Sequence, residues 1–92
     1  MLPHHRQPSH PGEILLKEFL EPSGLSQVQL AKELDIPIQR INTIVNGKRG
    51  MTAETALLLA KRLKTSPEFW MNLQVAWDLY QASHRSPHAI AA

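Results

Sequence analysis

The sequence contains no cysteine, and only five of its 92 residues are aromatic. The lack of cysteine excludes disulfides and thiolate metal sites, so packing alone must hold the fold together. No apolar run approaches the roughly 20 residues that a membrane-spanning helix requires. The N-terminus also lacks the apolar core of a secretion signal. We therefore expect a soluble cytoplasmic protein.

Catalytic motifs are missing as well. The sequence has no G-x-S-x-G or H-E-x-x-H pattern and no glycine-rich phosphate loop. The five histidines lie at positions 4–10 and 84–88, and neither group has a spacing that fixes the geometry of a metal ion. The sequence therefore predicts a protein that is not an enzyme and that uses no metal or cofactor.

The chain length allows one small domain. Hydrophobic residues make up 42% of the sequence, which is ample for one core, but 92 residues leave no room for two. We expect the folded domain at residues 11–83. Residues 1–10 have little to bury, and the hydrophobic pattern stops at residue 84, so residues 1–10 and 84–92 are expected to form flexible tails.

Capping residues and prolines divide the domain into five predicted helices. Pro11 opens the first helix, and residues 22–24 end it. Thr52 caps the fourth helix, and Ser66 caps the fifth, which extends to about Ala82. The second and third helices lie between residues 25 and 50. The predicted fold class is therefore all-α, a five-helix bundle.

The second and third helices are joined by a tight turn. Ser26 is a good N-cap for the second helix, whose buried stripe is expected to consist of Val28, Leu30, Ala31 and Leu34. Asp35 tolerates a left-handed conformation, and Pro37 suits the first turn of the helix that follows. Two short helices joined in this way indicate a helix-turn-helix.

The third helix, at about residues 38–46, has one apolar and one polar face. Isoleucines and valine recur at helical spacing on one side, and the opposite side carries no acidic residue. Amides can hydrogen-bond adenine, arginine can hydrogen-bond guanine, and threonine can contact either polar base edges or a thymine methyl. The alternative is an ordinary solvated helix face. We predict that the polar side contacts DNA bases through Gln39, Arg40, Asn42, Thr43 and Asn46.

The charge distribution supports a phosphate-facing side. The formal net charge is only +2, but residues 39–65 contain six basic residues and a single acidic one, Glu54. A basic middle between acidic ends fits contact with nucleic acid, although lysine and arginine also simply solvate helices. We predict that phosphates are held by Ser26, Gln27, Lys48 and Arg49.

The fifth helix holds four of the five aromatic residues. We expect one of its faces, formed by Phe69, Leu73, Ala76 and Tyr80, to pack in the core. Trp70 and Trp77 are then predicted to lie in a homodimer interface, where aromatic anchors are enriched. The alternative is that both indoles cover the core of a monomer. A two-fold dimer would present two recognition helices, about 34–36 Å apart, to a pseudo-palindromic operator.

Several motifs in this sequence carry a family resemblance. Residues 25–50 resemble the helix-turn-helix of the phage-repressor-like family, also called lambda-repressor-like, with Asp35 where the family often has glycine. The wider pattern resembles the HigA-type antitoxins, also named virulence-associated protein I. It comprises P-G-E-I-L at 11–15, G-L-S at 24–26, R-I-N at 40–42, G-K-R-G at 47–50, T-A-x-T-A-L at 52–57 and T-S-P-E-F-W-M-N-L-Q at 65–74.

The resemblance implies a function that composition and spacing do not. HigA-type antitoxins bind DNA, repress their own operon and neutralise a HigB-type toxin, a ribosome-dependent messenger-RNA endonuclease. If a toxin binds this chain, the first helix and the N-terminal tail are the candidate surfaces. Two alternatives remain open: a free-standing phage-type repressor without a toxin, and a protein-interaction module that has lost DNA binding.

Overall fold

A computed structural model describes residues 7–85, which form five helices and no strand. The first helix, α1, begins with a turn of α-helix, continues as a π-helix and closes with a further α-helical turn. These three parts of α1 are Pro11–Ile14, Leu15–Leu20 and Glu21–Ser23, and they are followed by α2 at Gln27–Leu34, α3 at Ile38–Val45, α4 at Ala53–Leu63 and α5 at Pro67–Arg85. The predicted all-α, five-helix fold is confirmed. Among these helices, none is long and apolar enough to cross a membrane.

The helix boundaries follow from local chemistry. The side-chain oxygens of Ser26, Thr52 and Ser66 each accept a hydrogen bond from the backbone N–H three residues later, at 3.0–3.3 Å. Each bond satisfies one of the N–H groups that a helix start leaves without a partner. Asp35 ends α2 in the left-handed conformation, with φ 57°. The predicted caps and turn are therefore present.

The core forms where α1 packs against α3 and against α5, where α4 packs along α5, and where α2 packs along α3. Its fully or almost fully buried apolar residues come from every helix and from the segment before α4: Leu15, Leu20, Leu30, Ala31, Ile41, Ile44, Met51, Ala56, Leu59, Ala60 and Trp70. The side chain of Gln74 is also buried; its Oε1 accepts from the backbone N–H of Met51 at 2.6 Å. This bond ties α5 to the segment that leads into α4.

Gly12 sets the distance between α1 and α3. A Cβ placed on Gly12 would lie 1.8 Å from the carbonyl oxygen of Ile44 and 2.9 Å from the Cα of Val45. Any side chain larger than hydrogen would therefore collide with backbone rather than with a movable side chain. Because α3 is seated directly on α1 at this point, the position of α3 depends on glycine at residue 12.

Trp70 lies inside the chain's own core, which corrects the prediction that it faces a partner. Its side chain is completely buried, and its indole Nε1 donates to Thr65 Oγ1 at 2.8 Å. Phe69, expected in the core, is 38% exposed and packs edge-on against Trp70 at a centroid distance of 5.0 Å. The predicted faces of α5 are thus exchanged at these two positions.

The folded region begins earlier than predicted. His10 was placed in a tail, but it is buried and caps α1: its Nδ1 accepts from the backbone N–H of Gly12 at 2.9 Å. Its ring packs edge-on against Trp77 at a centroid distance of 5.1 Å. Burial lowers the pKa of His10, while the nearby carboxylates of Asp78 and Glu13 raise it in opposition. A neutral ring fits its role as an acceptor.

The far end of the domain also extends past the predicted boundary at residue 83, because α5 continues to Arg85 rather than stopping at about Ala82. The rings of Tyr80 and His84 stack at a centroid distance of 3.9 Å within this last turn. Most of the predicted tails, residues 1–6 and 86–92, lie outside the described residues.

Candidate nucleic-acid interface

The two faces of α3 point in opposite directions, as predicted. Ile41 and Ile44 are fully buried, which anchors the helix in the core. On the other side Gln39, Asn42 and Asn46 are exposed, and Thr43 is partly exposed. Because residues at i, i+3, i+4 and i+7 share one side of a helix, these four polar side chains form a single outward surface. We call Gln39, Asn42, Thr43 and Asn46 the polar face.

Thr43 presents its methyl group and oxygen lone pairs rather than its proton. Its Oγ1 donates to the backbone carbonyl of Gln39 at 2.7 Å, and it also lies 3.2 Å from the carbonyl of Arg40. Since a hydroxyl has one proton, that proton is used within the helix. Of the two base contacts open to threonine, this geometry favours apolar contact with a thymine methyl.

Three amides form a chain that links α3 to the start of α2. Asn46 Nδ2 donates to Asn42 Oδ1 at 3.2 Å, and Asn42 Nδ2 donates to Gln27 Oε1 at 3.4 Å. Each amide of this chain keeps further donor or acceptor capacity, because an amide side chain offers two N–H groups and two lone pairs. The chain therefore orients Asn42 without using up its capacity to hydrogen-bond another molecule.

Arg40 forms an ion pair that connects α3 to α4. Its Nη1 lies 3.1 Å from Glu54 Oε1, in the first turn of α4. The arginine side chain is 28% exposed and that of the glutamate 75%. Arg40 was predicted to contact bases, and no ion-pair partner within the protein was predicted for it. In the structure its partner is Glu54. Its predicted base contact stays a prediction.

The four predicted phosphate-binding residues lie at the two ends of the helix-turn-helix. Ser26 is exposed, and Gln27 is half-buried beside Asn42. Lys48 and Arg49 are exposed, and their backbone N–H groups donate to the carbonyl of Thr43 at 2.9 and 3.1 Å. These bonds fold the segment after α3 back against the helix. The backbone of both basic residues is therefore held close to the polar face.

Glu54 is the site residue that sequence reasoning missed. One signal could have identified it: Glu54 is the single acidic residue between residues 39 and 65, and Arg40 is the single basic residue of α3. Within residues 7–85, no group of three or more histidine or acidic side chains could hold a metal ion.

The capped α2, the left-handed turn at Asp35 and the outward polar face of α3 together define a helix-turn-helix protein. The sequence pattern of the family described as "Helix-turn-helix" matches residues 16–70. The chain belongs to this family, and within it to the HigA-type group.

Three relatives show the extent of the similarity. "Virulence-associated protein I" of Dichelobacter nodosus is 49% identical over 73 residues, which are 79% of this chain and 68% of the relative. The structure of a HigA-family addiction module antidote protein from Coxiella burnetii is 49% identical, covers 94% of both chains and has a TM-score of 0.85. The structure of the Pseudomonas aeruginosa antitoxin HigA with the higBA promoter is 40% identical, covers 90% of both chains and has a TM-score of 0.86.

Proposed function

We propose that this protein is a sequence-specific DNA-binding antitoxin that represses its own operon and neutralises a HigB-type toxin. The observation that carries the proposal is the polar face of α3, exposed on a helix whose other side is buried. The similarity to the HigA structure with the higBA promoter supports it. Such a protein acts on DNA in the cytoplasm by binding rather than by catalysis.

Each side chain has a role in this proposal. Gln39, Asn42 and Asn46 hydrogen-bond base edges, and Thr43 contacts a thymine methyl. Ser26, Gln27, Lys48 and Arg49 hold phosphates and thereby fix the register of α3 in the major groove. The base contacts determine which sequence is chosen, whereas the phosphate contacts supply affinity that falls with salt.

Gln39→Ala is expected to weaken binding to the operator by about 1–3 kcal/mol, with relaxed choice at one base pair. The reason is the loss of a side chain that reads a base and carries no charge. The measurement is a titration of a labelled duplex from upstream of the protein's own reading frame, with each base pair of the site varied in turn. Salt dependence should be unchanged.

Two further variants make this test specific. Lys48→Ala should weaken binding to all sequences alike and lower the salt slope by about 1, because it removes a phosphate contact. Gln81→Ala, on α5, should bind as the unchanged protein does. Equal weakening of all sequences by Gln39→Ala would contradict base contact by this residue, and a protein that binds no duplex would contradict the proposed function.

We propose that the protein forms a homodimer, and α5 offers a surface for this association. Val75 and Leu79, four residues apart on one side of α5, are 51% and 66% exposed. A contiguous exposed apolar patch can mark a protein–protein interaction site. Trp77 is half-buried and lies on another side of α5, against His10. We therefore assign the interface to Val75 and Leu79, and the predicted participation of Trp77 stays a prediction.

Leu79→Glu should weaken dimerisation and operator binding together. A buried, unpaired carboxylate would oppose association, and a monomer would contact one half-site instead of two. Sedimentation at micromolar concentration measures the first effect, and the duplex titration measures the second. Gln81→Glu adds the same charge on a different side of α5 and should change neither. An unchanged dimer of Leu79→Glu would place the interface elsewhere.

The toxin surface is proposed on α1 and the N-terminal tail. Pro11 and Gly12 are buried against the rest of the fold, but Glu13, Lys17 and Glu18 are exposed on α1. Residues 1–6 lie outside the described residues. Co-purification with the product of an adjacent reading frame tests whether a toxin binds at all, and a chain with no such neighbour would act as a free-standing repressor.

A further inference from the structure

The ion pair between Arg40 and Glu54 joins α3 to α4. Arg40 is the single basic residue of α3, and its Nη1 lies 3.1 Å from Glu54 Oε1. Arg40 is mostly covered, while Glu54 is mostly exposed. An exposed carboxylate is therefore bound to the single guanidinium of α3.

A carboxylate at this position repels phosphates and so weakens DNA binding by the surface around it. Six basic residues lie between residues 39 and 65, and Glu54 is the sole acidic residue among them. Position in the first turn of α4 gives Glu54 a favourable interaction with the helix dipole. Glu68 occupies the equivalent position of α5, so the dipole accounts for an acid at a helix start. It does not account for the contact with Arg40.

We propose that Glu54 is a positioning residue that determines what Arg40 reads. This inference rests on the proposed DNA-binding function. Glu54 engages one N–H of a guanidinium that has five, and it offsets the charge that would draw Arg40 to the nearest phosphate. The remaining N–H groups keep the fork geometry that hydrogen-bonds O6 and N7 of guanine. Glu54 thus favours base reading over phosphate binding and raises the specificity of the protein.

The test is Glu54→Gln in the full-length chain, titrated against the operator duplex and a scrambled duplex of equal length. The variant should bind scrambled DNA more tightly, with a salt slope steeper by about 1, since a released Arg40 contacts phosphate. The ratio of operator to scrambled affinity should fall by roughly tenfold, within the range expected for one base pair. Because the pair is exposed on the surface, the fold should be retained.

Two controls separate this inference from simple repulsion between Glu54 and phosphates. Glu68→Gln removes a first-turn acid from α5 and should change neither the slope nor the ratio. In an Arg40→Ala background, Glu54→Gln should leave both the affinity for scrambled DNA and the affinity ratio unchanged, because its effect acts through Arg40. Arg40→Lys keeps the charge but loses the fork, so this variant should lack the guanine preference of the unchanged protein.

Three outcomes would overturn the inference. An unchanged affinity ratio in Glu54→Gln would show that Glu54 does not govern Arg40. The same rise in affinity for scrambled DNA in the Arg40→Ala background would show that the carboxylate acts alone by repelling phosphates. If the unchanged protein shows no salt-dependent binding to either duplex, the proposed function fails and this inference fails with it, a result distinct from the first two.

Discussion

Replacing Gly12 with alanine is expected to destabilise the fold by about 3 kcal/mol, the upper end of what overpacking usually costs. The added Cβ would lie 1.8 Å from the carbonyl oxygen of Ile44 and 2.5 Å from its carbonyl carbon. Both atoms belong to the backbone of α3, so no side-chain rotation can relieve the collision. The helices α1 and α3 must separate, and close packing around them is lost.

The measurement for Gly12→Ala is urea unfolding followed by circular dichroism, together with titration of the operator duplex. At low temperature, operator affinity should fall by more than the loss of folded protein explains. The reason is that α3 carries the polar face and is displaced. Glu13→Ala, at the exposed next position of the same helix, should cost at most about 1 kcal/mol through the helix dipole. Equal stability of Gly12→Ala and the unchanged protein would contradict the described packing of α1 on α3.

Trp70→Ala is the second substitution with a large expected effect, about 3–5 kcal/mol of stability. The indole is completely buried beside Phe19 and Phe69 and donates to Thr65. Its removal leaves a cavity and takes away the partner of the Thr65 hydroxyl. Because a domain of this size is stable by only about 5–15 kcal/mol, a large part of the folded population is at risk.

Trp70→Phe distinguishes the core role of Trp70 from an interface role. Phenylalanine keeps the aromatic packing and loses the indole N–H, so stability should fall by less than in Trp70→Ala. The folded fraction of either variant should remain dimeric in sedimentation, since Trp70 has no exposed surface to offer a partner. If the Trp70→Ala variant were stable but monomeric, Trp70 would have to contribute to the dimer interface after all.

Much of the local structure could be predicted from sequence because its causes are local. Ser26, Thr52 and Ser66 cap helices through hydrogen bonds that span three residues. The two faces of α3 follow from helical periodicity in the same way. The prediction for Val28 was wrong for the opposite reason: it belongs to the apolar pattern of α2, yet 59% of it is exposed. Which edge of an apolar stripe is covered depends on where the other helices lie.

The candidate site shows the same division. Residue type and spacing predicted that Gln39, Asn42, Thr43 and Asn46 share a surface, and the structure places them there. The partner of Arg40 is 14 positions away in sequence, in the first turn of another helix. Contacts of this kind follow from how α3 and α4 pack, which spacing within either helix does not reveal.

The sequence by itself determined the all-α class, the helix-turn-helix and the polar face of α3, since these depend on capping and on periodicity within short segments. The tertiary structure alone decided that Trp70 rather than Phe69 enters the core, that His10 belongs to the folded domain, and that Glu54 holds Arg40. Adjacent helical residues point about 100° apart, so the choice between them is made by the neighbouring helix that covers one and leaves the other exposed.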